Sequence, residues 1–406
     1  MTELNIAIIG AGLGGLTLAH ALRRAGADVR VFERDASPWD RPQGYRLHID
    51  TDGIEALAAA LTDDLNRLFR ATSMEPLDYT TIVDAELNIL GRRGSDDHSG
   101  TQERGLRGAT AHLNVNRATL REILLTDLSD ICHFGAKFLR YESGPDGVTA
   151  HFADGNTVRA DVLVGADGVH SRVRRQRAPE ARLMDTGVRA IYGRIPLPAA
   201  ARLLPDHALE DVFTVASGPG KVFLGLGPVV FPARPEIAGR EFAPTAGLRP
   251  QEDYVVCIVG GPRKMTGKSD DALRAMGSAG LQSLAAHMLR DWPEAARAIP
   301  PAGDPASFFH VEMRSSVPFD LAPHANVTLL GDAVHAMTPT LGRGANVAMQ
   351  DALMLSRVLR AVGGGELELA EALAAYEREM TEQGFAVVRQ AAALGERLMG
   401  QLPLPG

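Results

Sequence analysis

The chain has 406 residues, more than one hydrophobic core usually serves, so two domains are expected. Hydrophobic residues at 45% and charged residues at 23% are ordinary for a water-soluble globular protein. A net charge of −8 speaks against general binding of nucleic acid or anionic membranes. Cys132 and Cys257 stand apart, with no CxxC and no second ligand pair, which predicts free thiols in a reducing compartment. The twelve histidines show no HxH or HExxH spacing, and Asp96-Asp97-His98 reads as a solvated loop, so no metal site is expected. No apolar run approaches the ~20 residues needed to span a bilayer. A first core strand near Asn5 leaves no room for a secretory leader, so the expected location is the cytoplasm.

Ile6-Ala7-Ile8-Ile9 is a continuous apolar run, the pattern of a parallel strand buried on both faces. Glycines follow, and then Leu18, Leu22 and Ala25 recur at helical spacing up to Gly26. Val29, Val31 and Phe32 complete a compact βαβ unit. Helices are expected near 52–69 and over 117–128, where Leu120, Ile123, Leu124 and Leu128 share one face. Residues 148–164 read as a hairpin about Asp154-Gly155 that runs into a strand at Val162-Leu163-Val164. From about 185 to 260, short apolar runs at 212–215, 222–226 and 254–259 alternate with Pro/Gly breaks, as in an antiparallel sheet. The run 327–330 returns to the buried parallel pattern. A long helix over about 345–361 follows, and the chain stays mostly helical to about 399.

Gly10, Gly12 and Gly15, with Leu13 and Gly14 among them, set a GxGxxG turn between the first strand and the first helix. The first glycine permits the tight turn, the second lets a pyrophosphate approach the backbone, and the third allows close helix packing. The helix start adds free N–H groups and the positive end of its dipole. Glu33 ends the second strand, where a carboxylate accepts from ribose hydroxyls and repels a 2′-phosphate; such a site suits FAD or NAD and not NADP. Arg117 follows the N-cap candidate Asn116, and a cation in a first helical turn opposes the dipole unless an anion such as pyrophosphate lies close. Asp332 follows an apolar strand and Gly331, which puts its carboxylate at the sheet edge where α/β ligands bind. Gly342, Gly344, Ala345 and Asn346 open the long helix, whose first amides point at the ligand. In Gly44-Tyr45-Arg46-Leu47-His48-Ile49, strand alternation puts Arg46 and His48 on one face. Gly267-Lys268-Ser269 mimics a P-loop, but the required glycine five positions earlier is Pro262. No dedicated catalytic acid–base pair is visible.

Taken in order, the 10–15 turn, Glu33-Arg34, Arg117, Gly165-Ala166-Asp167-Gly168 and the stretch from Gly331 to Asp351-Ala352 resemble the single-component FAD-dependent aromatic hydroxylases. These are the para-hydroxybenzoate hydroxylase-like flavoprotein monooxygenases, and the resemblance spans nearly the whole chain. It implies that the glycine turn, Glu33 and Arg34 hold the adenosine half of FAD. It also implies that Arg117 and Asp332 bind FAD, and that Pro339 through Asn346 face the isoalloxazine. Asp167-Gly168 is linked in the family to FAD and to a transient NADPH or NADH reductant. In the resembling enzymes the segment corresponding to Gly44 through Ile49 runs beside the isoalloxazine, which implies that Arg46 and His48 point at flavin or substrate. Arg343 departs from the glutamine of many relatives. By the family mechanism NAD(P)H reduces FAD, O2 adds to give a flavin C4a-hydroperoxide, and its distal oxygen attacks an electron-rich substrate.

The fold class implied is α/β: a Rossmann-like FAD-binding domain with an inserted antiparallel β-sheet substrate lobe and C-terminal helices. Residues 1–75, 105–180 and 300–370 are assigned to the FAD-binding domain, 76–104 and 181–299 to the β-rich lobe, and 371–406 to a C-terminal helical segment. The expected substrate is an aromatic or polycyclic, natural-product-like small molecule, with His48, Tyr192, Phe213, Val215 and Phe223 as candidate pocket liners. Neither nucleic acid nor stable membrane association is expected, and no oligomeric state is implied. An FAD-dependent dehydrogenase or reductase of a similar substrate is the alternative, because FAD motifs alone do not establish oxygen insertion. A non-catalytic FAD-binding redox sensor is the second.

Overall fold

Asn5–Ile9 is the central strand of a five-stranded sheet in a computed structural model that describes residues 4–40, 45–94 and 112–405. Gly44 and Asp96-Asp97-His98 lie outside the described residues. Across the sheet the order is Val327–Leu329, Val162–Gly165, Asn5–Ile9, Asp28–Phe32 and Cys132–His133, every neighbour parallel. Its central residues are buried from both sides, as the unbroken apolar runs require. The helices Leu13–Arg24 and Gly344–Gly363 pack against each other beside it.

The 52–69 pattern is two helices, Thr51–Ala60 and Asp63–Ala71, because Thr62 caps the second through an acceptor for the Leu65 N–H. Arg117–Leu125 begins where Asn116 predicts, with Asn116 Oδ1 accepting from the Thr119 N–H at 3.0 Å. Around Asp154-Gly155, Gly147–Phe152 pairs antiparallel with Thr157–Ala160, and Phe138–Gly144 adds a third strand.

The second large sheet has seven strands in the order Phe309–Ser316, Leu183–Pro196, Tyr254–Pro262, Phe223–Val229, Asp211–Ser217, Leu77–Val83 and Ile89–Gly94. Its neighbours are antiparallel except Asp211–Ser217 and Leu77–Val83, which run parallel. Phe309–Ser316 belongs to this sheet through its pairing with Leu183–Pro196, so the stretch 300–370 does not all join the nucleotide-binding body. Most of 371–406 is helical, as expected, and that helix packs on the nucleotide-binding body. Tyr376, Met380, Phe385 and Val388 of Leu369–Met399 are buried in the same core as the first strand.

The seven-stranded sheet has two unlike faces. Ile191, Leu224, Leu226, Cys257 and Val259 form a core with helix Ser278–Met288. The opposite face carries Tyr192, Phe223, Tyr254 and Val256, against which Tyr45 and the chain end at Leu398 and Met399 pack. Both cysteines are free, and burial pushes each thiol up to about 12. Among the described residues no helix is long and apolar enough to cross a membrane.

Arg177 and Glu377 form a buried ion pair at 3.0 Å that ties Arg172–Arg177 to the C-terminal helix. Burial raises the Glu377 carboxyl to about 7, and Arg177 pulls the other way. A raised carboxyl favours the folded state below its unfolded pKa, and that contribution is lost as pH rises from about 4.3 to 7. Arg177→Met is expected to cost about 3–5 kcal/mol at high pH, where Glu377 is left charged and alone. The loss shrinks at acid pH, where Glu377 is protonated. Urea unfolding at the two pH values checks this; equal losses would remove Glu377 from the account.

Candidate functional site

Four parallel strands deliver four motifs to one carboxyl edge: Gly10 after the first, Glu33 after the second, Ala166-Asp167 after Val162–Gly165, and Gly331-Asp332 beyond Val327–Leu329. Gly10 has φ +113°, and a Cβ there would stand 2.4 Å from the Ala166 carbonyl oxygen. The first two glycine segments therefore meet backbone to backbone. A Cβ on Gly15 would stand 2.2 Å from the Gly10 oxygen, which fixes how closely the first helix docks. Gly12 differs, because nothing lies within 4 Å of where its Cβ would be. The turn is open at that point, beside the helix N-terminus.

Glu33 is buried and braces this turn. Its Oε2 accepts from the Ala11 N–H at 2.9 Å and its Oε1 from the Asp35 N–H at 3.1 Å. A carboxylate with two oxygens retains lone pairs for ribose hydroxyls. Arg34 is about half exposed, with its nearest carboxylate, Asp35, at 3.9 Å. The sequence does not anticipate Arg121, a buried side chain whose Nε donates to the Ala11 carbonyl at 3.1 Å and whose Nη1 donates to that of Pro38. Its one signal is a position four residues after Arg117 on the same helix.

Asp167 spends its carboxylate on the start of Arg172–Arg177. It accepts from the Arg172 N–H at 2.6 Å, the Val173 N–H at 3.3 Å and the Ser171 hydroxyl. Burial raises this carboxyl and those bonds pull it back. Asp332 instead keeps solvent contact while protein surrounds it, the setting of a cleft wall. Burial raises its carboxyl, opposed by the charges of His335 and Arg117. Its Oδ1 lies 3.9 Å from where a Gly344 Cβ would stand, so it borders the start of the long helix. Arg117 makes no ion pair among the described residues; its guanidinium lies 5.4 Å from the Tyr45 ring centroid.

Asp351 holds the Gly331-Asp332 turn from beneath. Its Oδ2 accepts from the Gly331 N–H at 2.8 Å and lies 2.7 Å from His335 Nε2. Burial alone would lower the His335 imidazole, but the Asp351 carboxylate overrides it and raises the pKa. Pro339 is exposed, and Gly342 turns the chain at φ +66° into the helix that starts at Gly344 and Ala345. Asn346 is fully buried. Its Nδ2 donates to the carbonyls of His48 (3.0 Å) and Gly342 (3.2 Å), and its Oδ1 accepts from the Asp50 N–H at 3.2 Å. The Asn346 side chain is thus a staple, and only its backbone is left for a ligand. Arg343 pairs with Asp50 at 3.1 Å and Asp52 at 3.0 Å, closing the same loop onto the Thr51–Ala60 helix.

Arg46–Ile49 is a strand, as alternation predicts, paired antiparallel with Leu113–Asn116. Its polar residues part company. Arg46, expected to point at flavin or substrate, reaches into the seven-stranded sheet: its Nε donates to Asn114 Oδ1 at 3.1 Å, its Nη2 bonds the Val212 carbonyl, and it lies 5.3 Å from the Phe213 ring centroid. Gly227 makes the room, since a Cβ there would be 3.0 Å from Arg46 Cδ. Burial pulls this guanidinium's pKa down, yet a guanidinium stays protonated in proteins. His48 stays at the loop, its Nδ1 3.5 Å from where a Gly342 Cβ would stand.

The sheet register puts Tyr192, Phe213, Val215 and Phe223 on one face. Phe213 and Phe223 lie over Gly225 and Gly260, whose Cβ atoms would stand 2.6 and 2.5 Å from the two rings. Tyr192 is buried and stacks on Phe309 with centroids 5.4 Å apart. Of the four, Phe223 and Tyr192 are core, and Phe213 and Val215 are the partly open ones.

The model of a family described as an FAD binding domain matches residues 3–190 and 282–391. The chain belongs to that family, the single-component FAD-dependent monooxygenases related to aromatic hydroxylases. It is 31% identical over 98% of its length to a dual O-methyltransferase/FAD-dependent monooxygenase of Phaeosphaeria nodorum, of which it spans 46%. It therefore covers about half the length of that curated relative. It is 29% identical to the 3-amino-4-hydroxybenzoate 2-monooxygenase of Streptomyces cremeus, over 97% of this chain and 87% of that one. A solved structure from Photorhabdus luminescens, provisionally described as an FAD-containing monooxygenase, superposes with a TM-score of 0.80 at 28% identity, covering 98% of this chain and 99% of that one.

FAD is the cofactor of this family, and the residues present fit it. The open position at Gly12 beside free helix amides suits its pyrophosphate, Glu33 its adenosine ribose, and Asp332 its ribityl hydroxyls. Asp332→Ala is expected to leave the fold intact, since it removes no core packing, and to weaken FAD binding. Losing a charge-assisted hydrogen bond costs ~1.5–3 kcal/mol, roughly ten- to hundredfold in affinity. Titration of apoprotein with FAD, followed by flavin fluorescence, checks this; unchanged affinity would take Asp332 off the cleft wall.

Proposed function

We propose that the chain is an NAD(P)H-consuming monooxygenase that hydroxylates a flat aromatic or polycyclic small molecule. The observation that carries the substrate class is the sheet face beside the cofactor edge. There Phe213 packs against Gly225 and is half-buried, as is Val215, while the half-buried Tyr45 and Phe309 cluster with the buried Tyr192. Aromatic surfaces of this kind stack on planar rings and exclude water. Relatives named for aromatic substrates, such as 3-amino-4-hydroxybenzoate, support the same class.

Bound FAD supplies the chemistry, delivering one oxygen atom of O2 after reduction by NADPH or NADH. The protein's part is placement and charge. The amides at the start of Gly344–Gly363 lend the positive end of a 20-residue helix to the flavin edge, where reduction adds negative charge. Asp351 and His335 hold the preceding turn rigid. Arg46 places a cation on the substrate face, where it favours an acidic phenol or another anion-forming ring. Arg46→Ala is expected to keep FAD affinity and to raise the substrate KM roughly tenfold or more. Unchanged KM would confine Arg46 to bracing Asn114 and Val212.

The reading is tested by screening aromatic compounds for stimulated NAD(P)H oxidation and then supplying labelled dioxygen to the best of them. One labelled oxygen atom is expected in the product. Oxidised product without label would favour dehydrogenation, and flavin binding with no stimulation by any compound would favour a redox sensor.

A further inference from the structure

His48 borders the loop that opens the long helix, with its Nδ1 on the Gly342 side. Its other ring nitrogen, Nε2, lies 2.7 Å from His112 Nδ1, with the two ring planes only 22° apart. His112 is buried, and its own second nitrogen, Nε2, lies 3.1 Å from Asp78 Oδ1, at ion-pair distance though off the line of an ideal hydrogen bond. The Asp78 side chain is 44% exposed. Each histidine thus presents one nitrogen inward and one outward, and the file of three groups runs from the flavin-side loop to solvent.

We propose that His48, His112 and Asp78 form a proton relay between the reacting ligand and bulk water. The inference rests on the monooxygenase reading for the proton's source, a substrate hydroxyl that ionises as the ring is activated. A proton arrives at His48 Nδ1, the Nε2 proton passes to His112 Nδ1, and the His112 Nε2 proton leaves to the Asp78 carboxylate and water. One proton enters and one leaves, no electron moves, and both imidazoles end neutral. Two imidazoles in direct contact, His48 half-buried and His112 buried, do this without bringing water to the cleft, which matters where reactive oxygen must be kept from solvent.

The charged groups around the file come from each neighbouring element. Asp50 and Asp52 flank it at the start of Thr51–Ala60, and Arg343 pairs with both from the loop. Arg46 lies two residues from His48 on the same strand, and Asn114 and Asn346 supply neutral contacts. The acidic pair is already matched to Arg343, so the outward route for a proton is Asp78.

Two measurements on FAD-loaded protein test the relay. In histidine-¹⁵N NMR, a trans-hydrogen-bond coupling between His48 Nε2 and His112 Nδ1 is expected, with coupled titration of the two rings. Asp78→Asn should then shift both. Independent titrations, with His48 unmoved by Asp78→Asn, overturn the relay whatever the enzyme's reaction. In turnover, His112→Phe is expected to retain FAD affinity and to slow substrate-stimulated NAD(P)H consumption or its coupling to product on the order of 10²-fold near neutral pH. Added imidazole should restore part of that rate. A folded, flavin-loaded His112→Phe with the wild-type pH profile and solvent isotope effect overturns the relay as well. Failure of every compound to stimulate wild-type turnover would count against the monooxygenase reading, and the NMR arm would still decide the relay.

Discussion

The contact between Gly10 and Ala166 is the constraint on which the cofactor edge depends. Two parallel strands end there, and their following residues approach so closely that a single Cβ would lie 2.4 Å from a carbonyl oxygen. The Ala166 N–H donates to Ile9 O and the Gly10 N–H to Phe32 O, both at 2.8 Å, so three strands share one finishing line. Val327–Leu329 joins it through the Leu330 N–H, which bonds Gly165 O at 3.1 Å. Everything offered to a dinucleotide is built on backbone locked in this way. Side chains such as Glu33, Arg121 and Asp351 act mainly by holding that backbone still.

The two-stranded ladder of Arg46–Ile49 and Leu113–Asn116 joins the cofactor edge to the sheet lobe. Asn114 is its hub: fully buried, it accepts from Arg46 and donates to the carbonyls of Val212 (3.2 Å) and Pro228 (3.0 Å). Asn346 makes the opposite connection, tying His48 and Asp50 to the loop at Gly342. A buried amide that satisfies three partners is costly to misplace, because each lost bond leaves a polar group unpaired. The ladder therefore holds the cofactor edge and the aromatic face at a fixed separation.

Much of this was legible in the sequence because the physics there is local. Strands buried on both faces must read as unbroken apolar runs, and Ile6 through Ile9 do. A helix cap needs an acceptor at one position, and Asn116 supplies it. What was not legible depends on partners far away in the chain. Nothing near residue 77 says that Leu77–Val83 will run parallel to Asp211–Ser217, and nothing near 309 says which sheet it will edge. Arg46 illustrates the limit most sharply: alternation puts it on the same face as His48, but the vacancy at Gly227, about 180 residues later, decides where it goes. Asp167 likewise carries a motif position, yet its carboxylate is claimed by its own helix start.

The two large sheets are specified by different means. At the cofactor edge Gly10, Gly14 and Gly15 leave no room for a Cβ, whereas Gly12 stands open. The aromatic face of the seven-stranded sheet is set instead by rings against Gly225 and Gly260 and by one guanidinium against Gly227. Exchanging a ring for a smaller side chain there opens space above a glycine without touching the strands' pairing. Adding a side chain to the glycine would instead displace the ring. The opposite face, with Leu224, Cys257 and Val259 packed under helices, absorbs neither change. The aromatic face is thus the surface of that sheet where such changes are absorbed, while its link to the cofactor edge stays set by the Asn114 ladder.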